Sequence, residues 1–503
     1  MIKPVTAAAF LTALAWLSIP RSAEAQSVLT YHNSPNRHGA FTVPGLTAAA
    51  AARIHSDPAF HATISGNVYA QPLYWQPPGA RTGLLIVATE SNIVYALNAN
   101  TGARVWQTQL GKPVPGGTLP CGDISPEGVT GAPVIDPETG RLYLDAMTLQ
   151  GAGNLPRHMI YALSLSNGKI VPHWPLNVDN AMAARRAGFT SELQGQRGAL
   201  LFLRGKLYIP YGGRAGDCGS LTGAIYRGVV VEVTPATTPT ISGSWATRAA
   251  RGGIWAQGGV TSDGFSLFAT TGNTSGADSW GDGEGVIRLR PGLARSARPA
   301  DLFAPANWKD LDNTDADLGG TAAMPFRVAS GSSTVGRLLA LGKDGHAYLL
   351  NARALGGIGR EMLNVPVSNS RIITGPAVYV GPKATMVAFT NLAGLSANCS
   401  GTNVTMLRIT AMPANNIQTA WCAPINGSGA PIITTTDGTA NSIVWVAGAE
   451  GDNQLHGFNL LTGKTVFAGR GTGMTGLHRF GTLIAANRHL YVAADNGVYA
   501  FTF

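Results

Sequence analysis

Gln71-Pro72-Leu73, then Leu84-Leu85-Ile86-Val87-Ala88-Thr89, Glu90-Ser91-Asn92 and Ile93-Val94-Tyr95-Ala96-Leu97-Asn98, then Thr101-Gly102 and Trp106, make up one complete unit of this chain. A Gly/Pro-punctuated entry leads into two apolar strands joined by a tight polar turn, and a Thr-Gly turn passes the chain to a further strand carrying Trp106. The entry returns at Gly131-Ala132-Pro133, Arg197-Gly198-Ala199, Gln257-Gly258-Gly259 and Gly319-Gly320-Thr321. It comes again at Gly375-Pro376-Ala377, Gly429-Ala430-Pro431 and Phe480-Gly481-Thr482. Consecutive entries lie about 50–66 residues apart, room for four strands and their turns and too much for a solenoid coil. The period predicts an all-β chain, an eight-bladed β-propeller of four-stranded antiparallel blades. Small residues belong at the entries because innermost strands crowd around one axis.

Later units repeat the pattern, as in Ile160-Tyr161-Ala162-Leu163 with Asn167-Gly168 and Trp174, and Leu455-His456-Gly457-Phe458-Asn459 with Thr462-Gly463. The closing piece, Leu490-Tyr491-Val492 to Val498-Tyr499-Ala500-Phe501, lacks a fourth strand. An open edge there would be a liability, so an N-terminal strand is expected to close the last blade, with Val28-Leu29-Thr30-Tyr31 the candidate. Gly 64, Pro 30 and 13% charged residues describe turn-rich β structure. The one helical signal is a short alanine-rich stretch from Leu46 to Ile54.

The first 25 residues read as an export signal: Lys3, an apolar core from Val5 to Ile19, and Ala23-Glu24-Ala25 before cleavage at Gln26. No stretch is long and apolar enough for a transmembrane helix. The mature chain, 26–503, is expected to be one propeller in the periplasm or outside the cell. Four cysteines in an exported chain favour two disulfides. The loop order places Cys121 with Cys218, and Cys399 with Cys422, on one face. The net charge of +9 is scattered, with Arg185-Arg186 the only adjacent basic pair. That excludes a nucleic-acid track and suits contact with an anionic polymer or envelope component.

The run from Ala96 to Trp106, A-L-x-A-x-T-G-x-x-x-W, resembles the repeat of pyrroloquinoline quinone (PQQ) propellers, the quinoprotein alcohol dehydrogenase-like superfamily. Tyr31-His32-Asn33-Ser34-Pro35-Asn36-Arg37 is similar to that family's opening segment. The resemblance implies roles in blades four and five. Thr271-Gly272-Asn273 resembles the loop whose Asn binds metal and cofactor, and Trp255 is similar to the Trp on which the quinone rests. Asp315-Ala316-Asp317 stands where the family carries an acidic pair that includes the catalytic base. Lys343 opens a segment similar to the hairpin whose Lys contacts the quinone oxygens, and Asp217 takes the place of the metal-binding Glu. PQQ and Ca²⁺ are the cofactors implied, with a separate electron carrier as partner. Hard oxygen donors, a flat aromatic and a cation suit those tasks.

Blade two departs from the family. Where the dehydrogenases carry adjacent cysteines and then an Arg for the quinone carboxylates, this chain reads Cys121-Gly122-Asp123-Ile124-Ser125-Pro126-Glu127. An acid facing a tricarboxylate is repulsive. Gln71, Glu127, Arg197, Gln257, His478 and Arg479 are expected at the channel mouth, forming either a mixed-charge pocket for a small polar ligand or a salt-bridged plug. A ligand-binding or scaffolding module with a degenerate quinoprotein site, and a PQQ-dependent dehydrogenase acting on an alcohol or sugar, are the two functions to separate.

Overall fold

The computed structural model describes residues 27–214, 225–274 and 276–503. The predicted signal segment, Asp217 and Cys218 lie outside the described residues. Among the described residues, eight sheets of four or more mainly antiparallel strands follow one another along the chain, giving the eight-bladed propeller that the period predicts. The first blade orders Leu73–Trp75, Leu84–Ala88, Ile93–Asn98 and Arg104–Gln109. Trp106 donates from its indole to Leu165 O at 3.0 Å, tying that outermost strand to the second blade. Blades three to five begin on Leu201–Leu203, Thr261–Ser262 and Met324–Ser330. Blades six to eight begin on Ala377–Val380, Ile432–Thr435 and Leu483–Ala486.

The steric reason for small residues at the entries is visible between blades three and four. A Cβ on Gly198 would lie 2.8 Å from Gly259 Cα, so neither entry accommodates a side chain there. Apolar clusters fill the spaces between neighbouring blades; one of them packs the last blade against both the seventh and the first around Trp445, Tyr491 and Phe501. The alanine-rich stretch forms a single helical turn, Ala48–Ala51, capped by the Thr47 hydroxyl.

Chain from the N-terminal region closes the last blade, but the segment is not Val28–Tyr31. His55–Ser56 and Ala62–Thr63 pair with Gly497–Thr502. These short strands face solvent, so they lack the apolar alternation that marks a strand in sequence. Val28 instead exchanges two hydrogen bonds with Tyr74 on the innermost strand of blade one, at 2.7 and 3.1 Å.

From there the chain runs as an axial segment against the innermost region of every blade. Leu29 O accepts from Ile135 N at 2.8 Å in blade two, and Pro35 O from Ser262 N at 2.9 Å in blade four. His38 meets Pro325 O of blade five at 2.9 Å through its ring, and its carbonyl accepts from Val378 N of blade six at 2.7 Å. Ala40–Thr42 then adds in parallel to Ile432–Thr435 of blade seven, while the His32 ring reaches Thr482 Oγ1 beside blade eight at 3.4 Å. Arg37 is 2% exposed and donates to Gly258 O, Leu200 O and Val260 O at 2.9–3.4 Å, and to Thr30 Oγ1 at 2.6 Å. Gly39, at φ +62°, passes so close to the His32 ring that a Cβ would sit 2.9 Å from Nδ1.

Cys399 and Cys422 are disulfide-bonded as expected. Cys121 is also disulfide-bonded.

Replacing Arg37 by Ala strips a buried hub from several backbone carbonyls. Guanidinium chloride unfolding should register a loss of roughly 3–5 kcal/mol. The same change at exposed Arg53 should stay within about 0.5 kcal/mol.

Candidate functional site

In each blade the entry to the innermost strand and the turn after the second strand emerge on one face. Together they enclose a cavity of about 930 Å³ at one end of the channel. Blades four and five supply one wall. The helix Trp308–Thr314 ends at Asp315, which takes a left-handed conformation (φ 55°) and turns the chain so that Asp315 and Asp317 both face Lys343. The Lys343 ammonium lies 2.9 Å from Asp315 Oδ2 and 2.9 Å from Asp317 Oδ2. It also stands 5.6 Å above the Trp255 ring.

Asn273 donates from its backbone to Asp317 Oδ1 at 2.7 Å and from its side chain to Asp315 Oδ1 at 3.1 Å. Asp312 pins the loop further on, accepting from Thr274 N, Thr274 Oγ1 and Gly276 N. Gly272 allows this closure, since a Cβ there would lie 2.8 Å from Asp317 Oδ1 and 3.0 Å from Trp255 Nε1. Burial raises the Asp317 pKa, opposed by the Lys343 charge and hydrogen bond. Behind it, Glu284 is wholly buried and donates nothing to the cavity. Burial and then the Asp317 charge raise its pKa well above the carboxylate range. Burial works against the Lys343 ammonium, but Asp317 and Asp315 more than offset it and raise its pKa.

The opposite wall is built from ion pairs. Arg197 pairs with Asp123, and Arg214 with Glu127. Arg479 pairs with Glu450, its Nε 2.6 Å from Oε2. His478 Nε2 contacts both oxygens of Asp495 at 2.9 and 3.0 Å, and its ring stacks on Tyr69 at 4.2 Å.

The structure therefore brings Trp255, Asn273, Asp315, Asp317, Lys343, Arg197, His478 and Arg479 to one cavity. The other residues expected at the mouth sit elsewhere. Glu127 is buried behind the wall, held by Arg214 rather than by Arg197, Lys343 or Arg479. Gln71 is buried below, accepting from His32 N at 2.8 Å and donating to Thr30 O at 3.2 Å, so it anchors the axial segment. Gln257 lines a smaller inner space and donates to Phe480 O.

Sequence reading missed Arg214, Glu450, Tyr69, Asp123 and Asp312 as lining residues. A register signal exists for two of them. Arg214 and Glu450 follow the second strands of blades three and seven, Lys206–Gly213 and Ile443–Ala447. Asn273 and Lys343 likewise follow Leu267–Thr271 and Ser333–Leu341.

No family model matches the chain, and no curated protein matches it in sequence. Solved structures do match in shape. The quinohemoprotein alcohol dehydrogenase from Comamonas testosteroni aligns at a TM-score of 0.63 with 14% identity, over 94% of this chain and 80% of that one. The quinohemoprotein alcohol dehydrogenase ADHIIG from Pseudomonas putida HK5 aligns at 0.60 with 12% identity, over 94% and 79%. A europium-containing methanol dehydrogenase aligns at 0.58 with 15% identity, over 94% and 90%. The fold is thus the propeller fold of these alcohol and methanol dehydrogenases.

Glu90, fully buried near Arg197 and Arg214, offers a pH readout of this wall. Burial pushes its pKa up to about 7, against a hydrogen bond from Gly128 N. Its contribution is full below about pH 4, where folded and unfolded chains both hold the proton, and is lost as pH rises through about 7. Glu90→Gln keeps an acceptor for Gly128 and cannot ionise. Urea titrations should show wild type losing on the order of 3 kcal/mol from this group between pH 4 and 8, and the variant escaping that loss.

Proposed function

We propose that this protein is an exported PQQ-like propeller that binds a small polar ligand at the channel mouth and carries a degenerate quinoprotein site. The observation that supports it most directly is electrostatic. Among the described lining residues, Arg197, Arg214, Arg479 and Lys343 are each paired with a carboxylate of the protein. A tricarboxylate quinone needs cations with charge to spare, and desolvating it beside neutralised pairs is unfavourable.

The metal half of the family's site fares no better. Lys343 already bridges Asp315 and Asp317, so the carboxylates a metal ion would draw on are shared with a cation of the protein. PQQ and Ca²⁺ therefore fit this donor set poorly. Paired charges beside aromatic faces suit a ligand that is itself uncharged or zwitterionic, bound by hydrogen bonds and ring contacts. Export rests on the signal-like first 25 residues; among the described residues no helix is long and apolar enough to cross a membrane.

A second reading, a PQQ-dependent alcohol or sugar dehydrogenase served by a separate electron carrier, has one observation in its favour. Trp255, Asn273, Asp315, Asp317 and Lys343 do converge on a single cavity.

Calorimetry separates the two. Wild type titrated with PQQ in the presence of Ca²⁺ should bind at millimolar Kd or weaker, about −4 kcal/mol. The double variant Asp123→Asn/Glu450→Gln, which releases Arg197 and Arg479, should bind PQQ at least tenfold more tightly. Micromolar binding by wild type, with PQQ-dependent reduction of an acceptor dye, would establish the enzyme instead.

A further inference from the structure

The net charge of +9 is spread along the chain, but the ring sorts it between two faces. The entry of each blade and the turn after its second strand face the cavity, so the turns after the first and third strands emerge on the opposite face. Arg81, Arg204, Arg353, Lys383, Lys464 and Arg488 lie on those opposite turns, in blades one, three, five, six, seven and eight, and all are exposed. Among the described residues no carboxylate pairs with any of them.

The carboxylates exposed on the same turns are Glu138, Asp263 and Asp437. Asp263 accepts from Phe265 N and Ser266 N at 2.9 and 2.7 Å, and Asp437 from Thr439 N and Ala440 N at 2.8 and 2.7 Å. Both are thus engaged with the backbone of their own turns. The cavity face is arranged the other way: Arg197, Arg214, Lys343 and Arg479 are each neutralised by a carboxylate.

The basic turns also carry protruding apolar side chains. Phe265 is 76% exposed, Leu461 69% and Met412 56%, on turns of blades four, seven and six. Cations stand beside them. Arg204 donates to Gly264 O at 2.5 Å, and its guanidinium lies 5.3 Å from the Phe265 ring centroid. Lys464 shares one turn with Leu461, and Lys383 shares a blade with Met412.

The spacing of these tips decides the occupant. A protein partner buries a contiguous apolar core, whereas these tips stand on separate blades with cations between them. An anionic polysaccharide would satisfy the cations and leave Leu461 and Met412 without apolar surroundings. A bilayer accommodates both: single apolar side chains enter the headgroup–acyl boundary, and each Lys or Arg near an anionic leaflet adds attraction that fades within a Debye length. We propose that the face opposite the cavity is a docking surface for an anionic phospholipid bilayer, which would hold the channel mouth toward the aqueous side. The proposal is independent of what the cavity binds.

The test is co-sedimentation of the full mature chain with vesicles of phosphatidylcholine alone or of phosphatidylcholine mixed equally with phosphatidylglycerol. Wild type should partition about tenfold more strongly onto the mixed vesicles and lose that binding at high salt. Arg204→Gln/Lys383→Gln/Arg488→Gln should weaken partitioning about tenfold or more. Lys112→Gln/Lys309→Gln/Arg371→Gln removes the same charge from exposed side chains in the entry segments of the cavity face, and should bind as wild type does. Phe265→Ser/Leu461→Ser should weaken partitioning several-fold while the melting temperature holds, because both side chains are exposed. No binding by wild type, equal binding to both vesicles, equal losses in the two triple variants, or unchanged binding in Phe265→Ser/Leu461→Ser overturns the docking surface. Should the first triple variant fail to fold, the salt dependence of wild type and the Phe265→Ser/Leu461→Ser variant decide.

Discussion

A ring of eight blades has no covalent bond between its first and last members, and here the N-terminal chain supplies the missing connection at two radii. At the rim, His55–Ser56 and Ala62–Thr63 complete the last blade. At the axis, the segment from Val28 to Thr42 makes a hydrogen bond or a strand pairing with each blade in turn. Arg37 is the centre of that arrangement. Its guanidinium is buried among backbone carbonyls of the third and fourth blades, and burial lowers its pKa to about 10. The charge is expensive to bury, and the several carbonyl bonds compensate only if the inner strands are already in place. Ring closure and placement of this segment are therefore expected to be coupled.

The same segment decides what kind of site the channel contains. Because Tyr31 and Gln71 close the passage under Trp255, the cavity narrows to a polar floor. Its depth is set by the axial segment, and its walls are set by turns of separate blades. Changes in the floor and changes in the wall thus act on different parts of a bound molecule, and through different elements of the fold.

The repeat was legible in the sequence because crowding at the axis forces small residues into a register, as at Gly198 and Gly259. The closing strand was not. Val28–Tyr31 has the apolar, β-branched look of a strand yet makes a single bridge, whereas the true closing strands are exposed and carry no pattern. In the site, Trp255, Asn273, Asp317 and Lys343 could be found because they lie in consecutive blades and in local motifs. The partners of the opposite wall could not. Arg197 meets Asp123 from 74 residues away, and Glu127 finds Arg214 from the next blade; pairing at that range depends on blade geometry that a linear pattern does not encode.

The distribution of satisfied and unsatisfied groups follows from these two features. A wall meant for a polyanion must keep cations uncompensated, at a cost to the empty protein. This wall does the reverse: Lys343 is shared by two carboxylates, and Arg479 takes both backbone and side-chain contacts with Glu450. Its charges are already spent on one another, which stabilises the ring and weakens the pull on any ion. Binding energy comes from groups that gain a partner when the ligand arrives. In this wall the charged groups already have partners, so selectivity is expected to depend little on net charge.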